Sequence, residues 1–157
     1  MLIMTTKVDK RKLLITAAAV FAAIGALLFL TGGDDAEPTA SVAASPTADT
    51  NDARVKFLTD LGWEVTASPA EATEVKIPRG SDEVFDRYNE LQKSQGYDLT
   101  KYAGKKIMRY VYRINNYPGA QEPVYATLLV YKDRIIGGDI TDTTPGGKVQ
   151  GFAASQP

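Results

Sequence analysis

The chain has 157 residues, with 18 basic and 19 acidic side chains and neither histidine nor cysteine. That length fits one ordinary domain with appendages. The missing cysteine excludes disulfides, thiol nucleophiles and iron–sulfur ligation, and the missing histidine excludes a Ser-His-Asp triad and the usual zinc sites. A net charge of −1 argues against a dedicated nucleic-acid-binding protein, so no nucleic-acid partner is predicted.

The N-terminal region has the composition of a membrane segment. Residues 1–12 hold four basic side chains and one acidic side chain, and residues 13–30 form an uncharged, mainly apolar run. As a helix with a rise of ~1.5 Å per residue, this run is about 27 Å long, close to a bilayer core of roughly 30 Å. We predict a single-pass protein of the cell membrane, with a basic cytoplasmic N-terminus at 1–12 and a transmembrane helix at 13–31. The domain that follows is predicted to be extracytoplasmic.

A cleaved signal peptide is the alternative interpretation of this region, because basic residues followed by an apolar run are common to both. The run is longer than the usual ~7–15 apolar residues of a signal peptide. Only a weak small-residue cleavage site, at 31–33, follows it closely. The pattern therefore favours the uncleaved anchor.

Residues 32–51 consist almost entirely of Ala, Thr, Ser, Asp, Pro and Gly, and Val42 is their only branched aliphatic residue. Such a tract cannot bury enough apolar surface to offset the entropy lost on ordering. We predict a disordered linker at 32–51 that spans on the order of 25 Å and holds the following domain off the membrane.

Residues 52–153 are predicted to form one folded domain. The spacing of apolar side chains predicts a helix over 52–61, and alternation predicts strands over 63–67 and 73–77. Trp63 follows the first helix directly and is expected to be largely buried.

The clearest helical pattern in the chain covers 81–95. Ser81 is a suitable N-cap, and Gly96 can supply the left-handed residue that ends the helix. The apolar side chains on one face of this helix are Val84, Phe85, Tyr88 and Leu91. A short helical turn is predicted at 99–102.

Three strands are predicted at 105–117, 124–131 and 134–140, the last two joined by a two-residue turn. Gly137 and Gly138 indicate a bulge or a close backbone approach in the last strand. The element order is α-β-β-α-β-β-β. Because the connections are short, we predict a two-layer α+β domain in which two helices cover one face of an antiparallel sheet.

Several segments resemble those of one bacterial family when they are taken together and in order. They are LGWEV at 61–65, EVKIP at 74–78, YNELQKSQGYDL at 88–99, NYPG at 116–119, LLVY at 128–131 and IIGGDI at 135–140. The chain thereby resembles, over about 57–140, a Firmicutes family of small membrane-tethered domains of unknown function. The resemblance implies an envelope protein, and it implies no activity and no catalytic residue.

The strand at 105–117 carries the candidate binding residues. Its even-numbered side chains form the predicted core face, whereas Lys105, Arg109 and Arg113 alternate with aliphatic residues on the other face. Alternate residues of a strand lie about 6.6–6.8 Å apart, a spacing that suits repeated anionic groups. With Tyr117 in the following turn, these four residues form the predicted site. A helix that covers this face and leaves the charges at its rim is the alternative.

Acidic residues give weaker signals. The oxygen-bearing residues at 139 and 141–143 lack the spacing of an EF-hand, so neither a metal site nor a cofactor is predicted. Glu64, Asp98 and Asp139 are conceivable members of the carboxylate pair that glycoside hydrolysis needs. With 14 acidic residues in the domain, some pair of this kind is expected by chance.

The sequence therefore predicts a non-catalytic binding or regulatory module of the bacterial cell envelope, anchored to the membrane by one N-terminal helix. Its expected partner is an envelope protein or an anionic wall polymer. The alternative is a small envelope hydrolase with paired carboxylates. A deep pocket that holds two acids at catalytic separation would favour the hydrolase.

Overall fold

The computed structural model of the chain describes residues 46–153. The predicted cytoplasmic N-terminus, the predicted transmembrane helix and most of the predicted linker lie outside this range. Within it, no helix has both the length and the apolar character needed to cross a membrane.

Two α-helices and a five-stranded sheet make up the domain. The helices are α1 (Asn51–Asp60) and α2 (Glu83–Ser94), and a 3-10 helix covers Leu99–Tyr102. The strands are β1 (Glu71–Lys76), β2 (Lys106–Ile114), β3 (Val124–Tyr131), β4 (Arg134–Asp142) and β5 (Val149–Gln150). They form one antiparallel sheet in the order β1-β2-β3-β4-β5, so the predicted α+β class is confirmed.

Local signals at the helix ends explain where both helices begin and stop. The Thr50 hydroxyl accepts a hydrogen bond from the Ala53 N–H at 3.1 Å and caps α1. The N-cap of α2 is Asp82, one residue later than the predicted Ser81, and it accepts from the Phe85 N–H at 2.8 Å. Gly96 adopts a φ of +86° after α2, as the sequence predicted.

The predicted strand at 63–67 is wrong. Val65 makes only an isolated bridge to Ile114, and the regular pairing with β2 resumes at Glu71. Pro69 interrupts this edge because proline has no N–H to contribute to a ladder. The alternating pattern reflects instead the burial of Trp63 beneath α1. The backbone N–H of Trp63 donates to the Leu58 carbonyl oxygen at 3.0 Å.

The sheet lies between the two helices, so the domain has three layers and not the predicted two. Even-numbered residues of β2 and β3 pack with Leu58 of α1 and with Trp63, whereas odd-numbered residues pack with Tyr88 of α2. Because successive strand residues point to opposite faces, the helices cover opposite faces. The unbroken apolar run at 128–130 fits a strand buried on both sides.

Helix α2 runs across the strands of the sheet from β1 to β4. Its first turns lie beside Val75 of β1, and its last turns contact Gly138 of β4. A Cβ on Gly138 would lie 2.0 Å from the Thr127 carbonyl oxygen, so only glycine fits there. The predicted close approach is confirmed, and the bulge in β4 falls one residue earlier, at Ile136.

The end of the predicted linker belongs to the folded domain. The Pro46 carbonyl oxygen accepts from the Ile135 N–H at 3.0 Å, and the Ala48 N–H donates to the Asp133 carbonyl oxygen at 2.8 Å. Ala48 is buried in the core, and its carbonyl oxygen accepts from the Arg54 guanidinium at 2.8 Å. Backbone hydrogen bonds and one small side chain hold this segment. Neither kind of contact can be recognised from the amino-acid composition of the segment.

Candidate functional site

The four predicted binding residues lie on β2 or next to its ends, and they differ in their exposure to solvent. Lys105 is exposed just before the strand, Arg109 is buried, and Arg113 is exposed near the end of the strand. Helix α2 covers the face around Ile107, as in the alternative arrangement, but Arg109 is buried and does not lie at the rim of the helix. The predicted row of three exposed cations is therefore interrupted at its centre.

Arg109 is held inside the domain by an ion pair. Its side chain is 6% exposed, and its Nη2 lies 2.7 Å from the Glu71 carboxylate of β1, whose side chain is 28% exposed. Its Nε is also buried and has no hydrogen-bond partner among residues 46–153. The charge of Arg109 is thus buried and paired with Glu71, so it is not available to a ligand at the surface.

Asp139 lies beneath helix α2, and each of its two carboxylate oxygens accepts a hydrogen bond. Its carboxylate accepts from the Tyr88 hydroxyl at 2.7 Å and from the Thr141 hydroxyl at 2.6 Å. Burial raises the pKa of Asp139, against the hydrogen bonds from Thr141 and Tyr88 and the positive charge of Arg109, which lower it. Burial and the Asp139 charge raise the pKa of Tyr88 well above its ordinary value, so this phenol stays a neutral donor.

The acids considered for hydrolysis have separate local roles. Asp98 caps the 3-10 helix by accepting from the Thr100 backbone N–H at 3.1 Å. It also accepts from the Thr100 hydroxyl at 2.6 Å, a bond that lowers the pKa of Asp98. Asp139 belongs to the buried cluster just described, and Glu64 is exposed in the segment after α1. The Asp98 and Asp139 carboxylates are thus each engaged in structural contacts.

The oxygen-bearing residues near the C-terminus make contacts within the chain. The Asp142 carboxylate accepts from the Thr144 N–H at 2.9 Å, and the Thr143 hydroxyl donates to the Pro123 carbonyl oxygen at 2.7 Å. Across the described residues 46–153, no group of three or more acidic side chains is placed to hold a metal ion.

A polar groove of about 280 Å³ brings Arg113 and Tyr117 together at the β2–β3 turn. We call it the Arg113 groove; Glu122 also lines it. Arg113 makes no ion pair or hydrogen bond through its side chain with any residue in the range 46–153. The Tyr117 ring stacks on the buried Trp63 ring with centroids 6.0 Å apart, and this contact holds the Tyr117 ring in place. Lys105 lies eight positions before Arg113, about 27 Å along an extended chain.

A second, apolar cleft of about 200 Å³ opens between the end of β1 and the first turns of α2. We call it the β1–α2 cleft. It contains one acidic residue, Asp82, and the Arg113 groove also contains one, so neither cleft holds two carboxylates. The residues that line it are Val75, Lys76, Ile77, Pro78, Asp82, Val84, Phe85, Tyr88, Leu99 and Leu129.

Both clefts and most of the fold lie on a segment that matches a known family. Residues 57–140 match the family described as Domain of unknown function (DUF4830). The chain belongs to this family. A comparison with curated proteins found no match, and a comparison with solved structures found none. The matched DUF4830 segment runs from Phe57 within α1 to Ile140 within β4, so β5, the segment at 46–50 and the start of α1 lie outside it.

Sequence reasoning missed the residues that decide what is exposed in this DUF4830 domain. Glu71, on the neighbouring strand, forms an ion pair with Arg109, and the Tyr88 hydroxyl of α2 donates a hydrogen bond to the Asp139 carboxylate. Neither contact is local in the sequence. The one signal available was Tyr88 itself, a polar aromatic residue on the apolar face of a predicted helix, because a buried tyrosine hydroxyl requires a partner.

Proposed function

We propose that this DUF4830 domain is a non-catalytic binding module of the bacterial cell envelope, held outside the membrane by one N-terminal helix. The observation that carries the proposal is the state of Arg113. This exposed arginine lies in a groove and is not engaged by any described side chain, whereas Arg109 and Asp139 on the covered part of the same sheet face are each paired internally, with Glu71 and Tyr88.

The groove has the properties of a recognition site for a polar protein segment. An arginine side chain offers five N–H donors in a planar fork that matches a carboxylate. Tyr117 supplies a rigid aromatic edge at low entropic cost, because Trp63 already orders its ring. Glu122 lines the same groove and would repel a uniformly anionic wall polymer. We therefore propose an envelope protein, and not a wall polymer, as the partner.

Membrane attachment rests on the uncharged run at 13–30 and on the basic residues that precede it. Protease added outside intact cells, after removal of the outer wall layers, is expected to degrade the domain while a cytoplasmic marker survives. Protection of the domain in sealed cells, and its loss after the membrane is opened, would contradict the proposed topology.

Binding at the Arg113 groove is tested with the full chain in detergent, by titrating it with solubilised envelope proteins and separately with anionic wall polymer. Arg113→Ser is expected to weaken protein binding by about tenfold and to flatten its dependence on salt, since contacts between exposed charges are screened. Lys105→Ser removes the same charge about 27 Å away and is the matched control.

The two variants separate a groove from a general charge effect. Binding that falls equally in Lys105→Ser and Arg113→Ser would show that net charge, and not the Arg113 groove, attracts the partner. Binding of wall polymer that depends on Arg113 while protein binding does not would show that the proposed partner class is wrong.

A further inference from the structure

The outer edge of β1 is open. In the sheet β1 is the terminal strand and pairs only with β2, and no other segment of the described chain hydrogen-bonds to its outward N–H and carbonyl groups. Four of its six residues are exposed. Such an edge is a template for a strand from another chain, and proteins usually block it with a helix, loop or bulge.

The β1–α2 cleft adjoins this open edge. Val75 and Ile77 form its strand wall, and Val84 and Phe85 form its helix wall. Val84 is 39% exposed and is one of two exposed large hydrophobic residues in the described range. The volume of about 200 Å³ is below the roughly 300–1,000 Å³ of most small-molecule pockets, but it accommodates a single aliphatic side chain.

The charges around the end of β1 favour an acidic occupant. Lys76 and Arg79 are exposed there, and neither of them makes an ion pair within residues 46–153. Glu74 is already paired with Lys106 at 2.7 Å. The charge left uncompensated along this edge is therefore mainly positive, apart from the capping carboxylate Asp82.

We propose that the edge of β1 and the β1–α2 cleft form one docking site for an extended, acidic segment of a partner protein. The segment adds as a sixth strand beside β1 and places one branched aliphatic side chain in the cleft. Main-chain hydrogen bonds then provide affinity, and the cleft and Lys76 provide selectivity. This site lies apart from the Arg113 groove and does not depend on it.

The test uses the full chain in detergent and a set of fluorescent octapeptides. Their central residue is Ile, Val, Ala or Ser, flanked by Glu and Thr or by Lys and Thr. Acidic peptides with central Ile or Val are expected to bind about tenfold or more tightly than their Ala counterparts, because only they bury a branched side chain. Hydrogen exchange is expected to slow at the amides of β1 on binding.

Matched variants locate the site. Val84→Asn is expected to weaken binding of the acidic Ile peptide at least fivefold, whereas Leu61→Asn, at a residue equally exposed on the other side of the sheet, leaves it unchanged. Lys76→Ser should reduce the preference for acidic over basic flanks, and Arg113→Ser should have no effect on this peptide.

Three results would overturn the proposal. The first is equal binding of Ile and Ala peptides, or no binding of any peptide up to millimolar concentration. The second is equal loss in Val84→Asn and Leu61→Asn. The third is protection of β1 amides that rises with protein concentration in the absence of peptide, which would assign the edge to a second copy of this chain.

Discussion

Replacement of Trp63 by alanine is expected to lower the free energy of unfolding by about 3–5 kcal/mol. The indole is 1% exposed, its ring stacks on Tyr117, and its Nε1 donates to the Phe152 carbonyl oxygen at 2.9 Å. The variant therefore loses core packing, an aromatic contact and the bond that fastens the C-terminal segment. Urea denaturation followed by circular dichroism measures the loss, since Trp63 is the only tryptophan and no tryptophan fluorescence remains without it.

Trp63→Phe is the control for this experiment. It keeps an aromatic ring in the core but removes the hydrogen bond to Phe152, so a smaller loss is expected than for alanine. A loss below about 1 kcal/mol in Trp63→Ala would show that the indole contributes little to the core, contrary to its burial.

Arg109→Ser is expected to destabilise the domain by about 2–4 kcal/mol, whereas Arg113→Ser should change stability by less than about 0.5 kcal/mol. The first change leaves the Glu71 carboxylate without its cation and removes positive charge near the buried Asp139. The expected loss is moderated because the Glu71 side chain is 28% exposed to solvent. The second change removes an exposed side chain with no internal ion pair.

These two variants form a closely matched pair, since both arginines lie on the same strand and the same face, four positions apart. Urea denaturation of each single variant measures the difference. Equal stability of the two variants would show that the buried ion pair is neutral to folding. Combining both changes to test ligand binding would be uninformative, because the loss of Arg109 alone is expected to disturb the fold.

Elements with local signals could be predicted from the sequence. Gly62 and Gly96 both adopt positive φ after the helices that they end. Lys132 and Asp133 form the predicted two-residue turn, both at positive φ. In each case the deciding interactions involve residues only a few positions apart, so their spacing in the chain is sufficient.

Features that depend on distant partners could not be predicted. The exposure of Arg109 is decided by Glu71 on another strand and by α2, which crosses above it. The number of layers depends on which side of the sheet α2 packs, and neither face of β2 carries enough charge to exclude a helix. The pairing of 46–48 with β4 uses backbone groups that every residue possesses.

The two edges of the sheet differ in a way that limits how the protein can assemble. Along β4 the outer edge is occupied by the segment at 46–48, by the side chains of Gln92 and Gln95 at Gly138, and by β5. Along β1 it is open. Open-ended growth of a sheet from identical units requires two compatible edges on each unit, one to receive and one to offer. Within residues 46–153 the opposite terminal strand, β5, has only two residues, so a strand added at β1 as proposed meets no equally long edge on the other side of the sheet, and its addition would stop there.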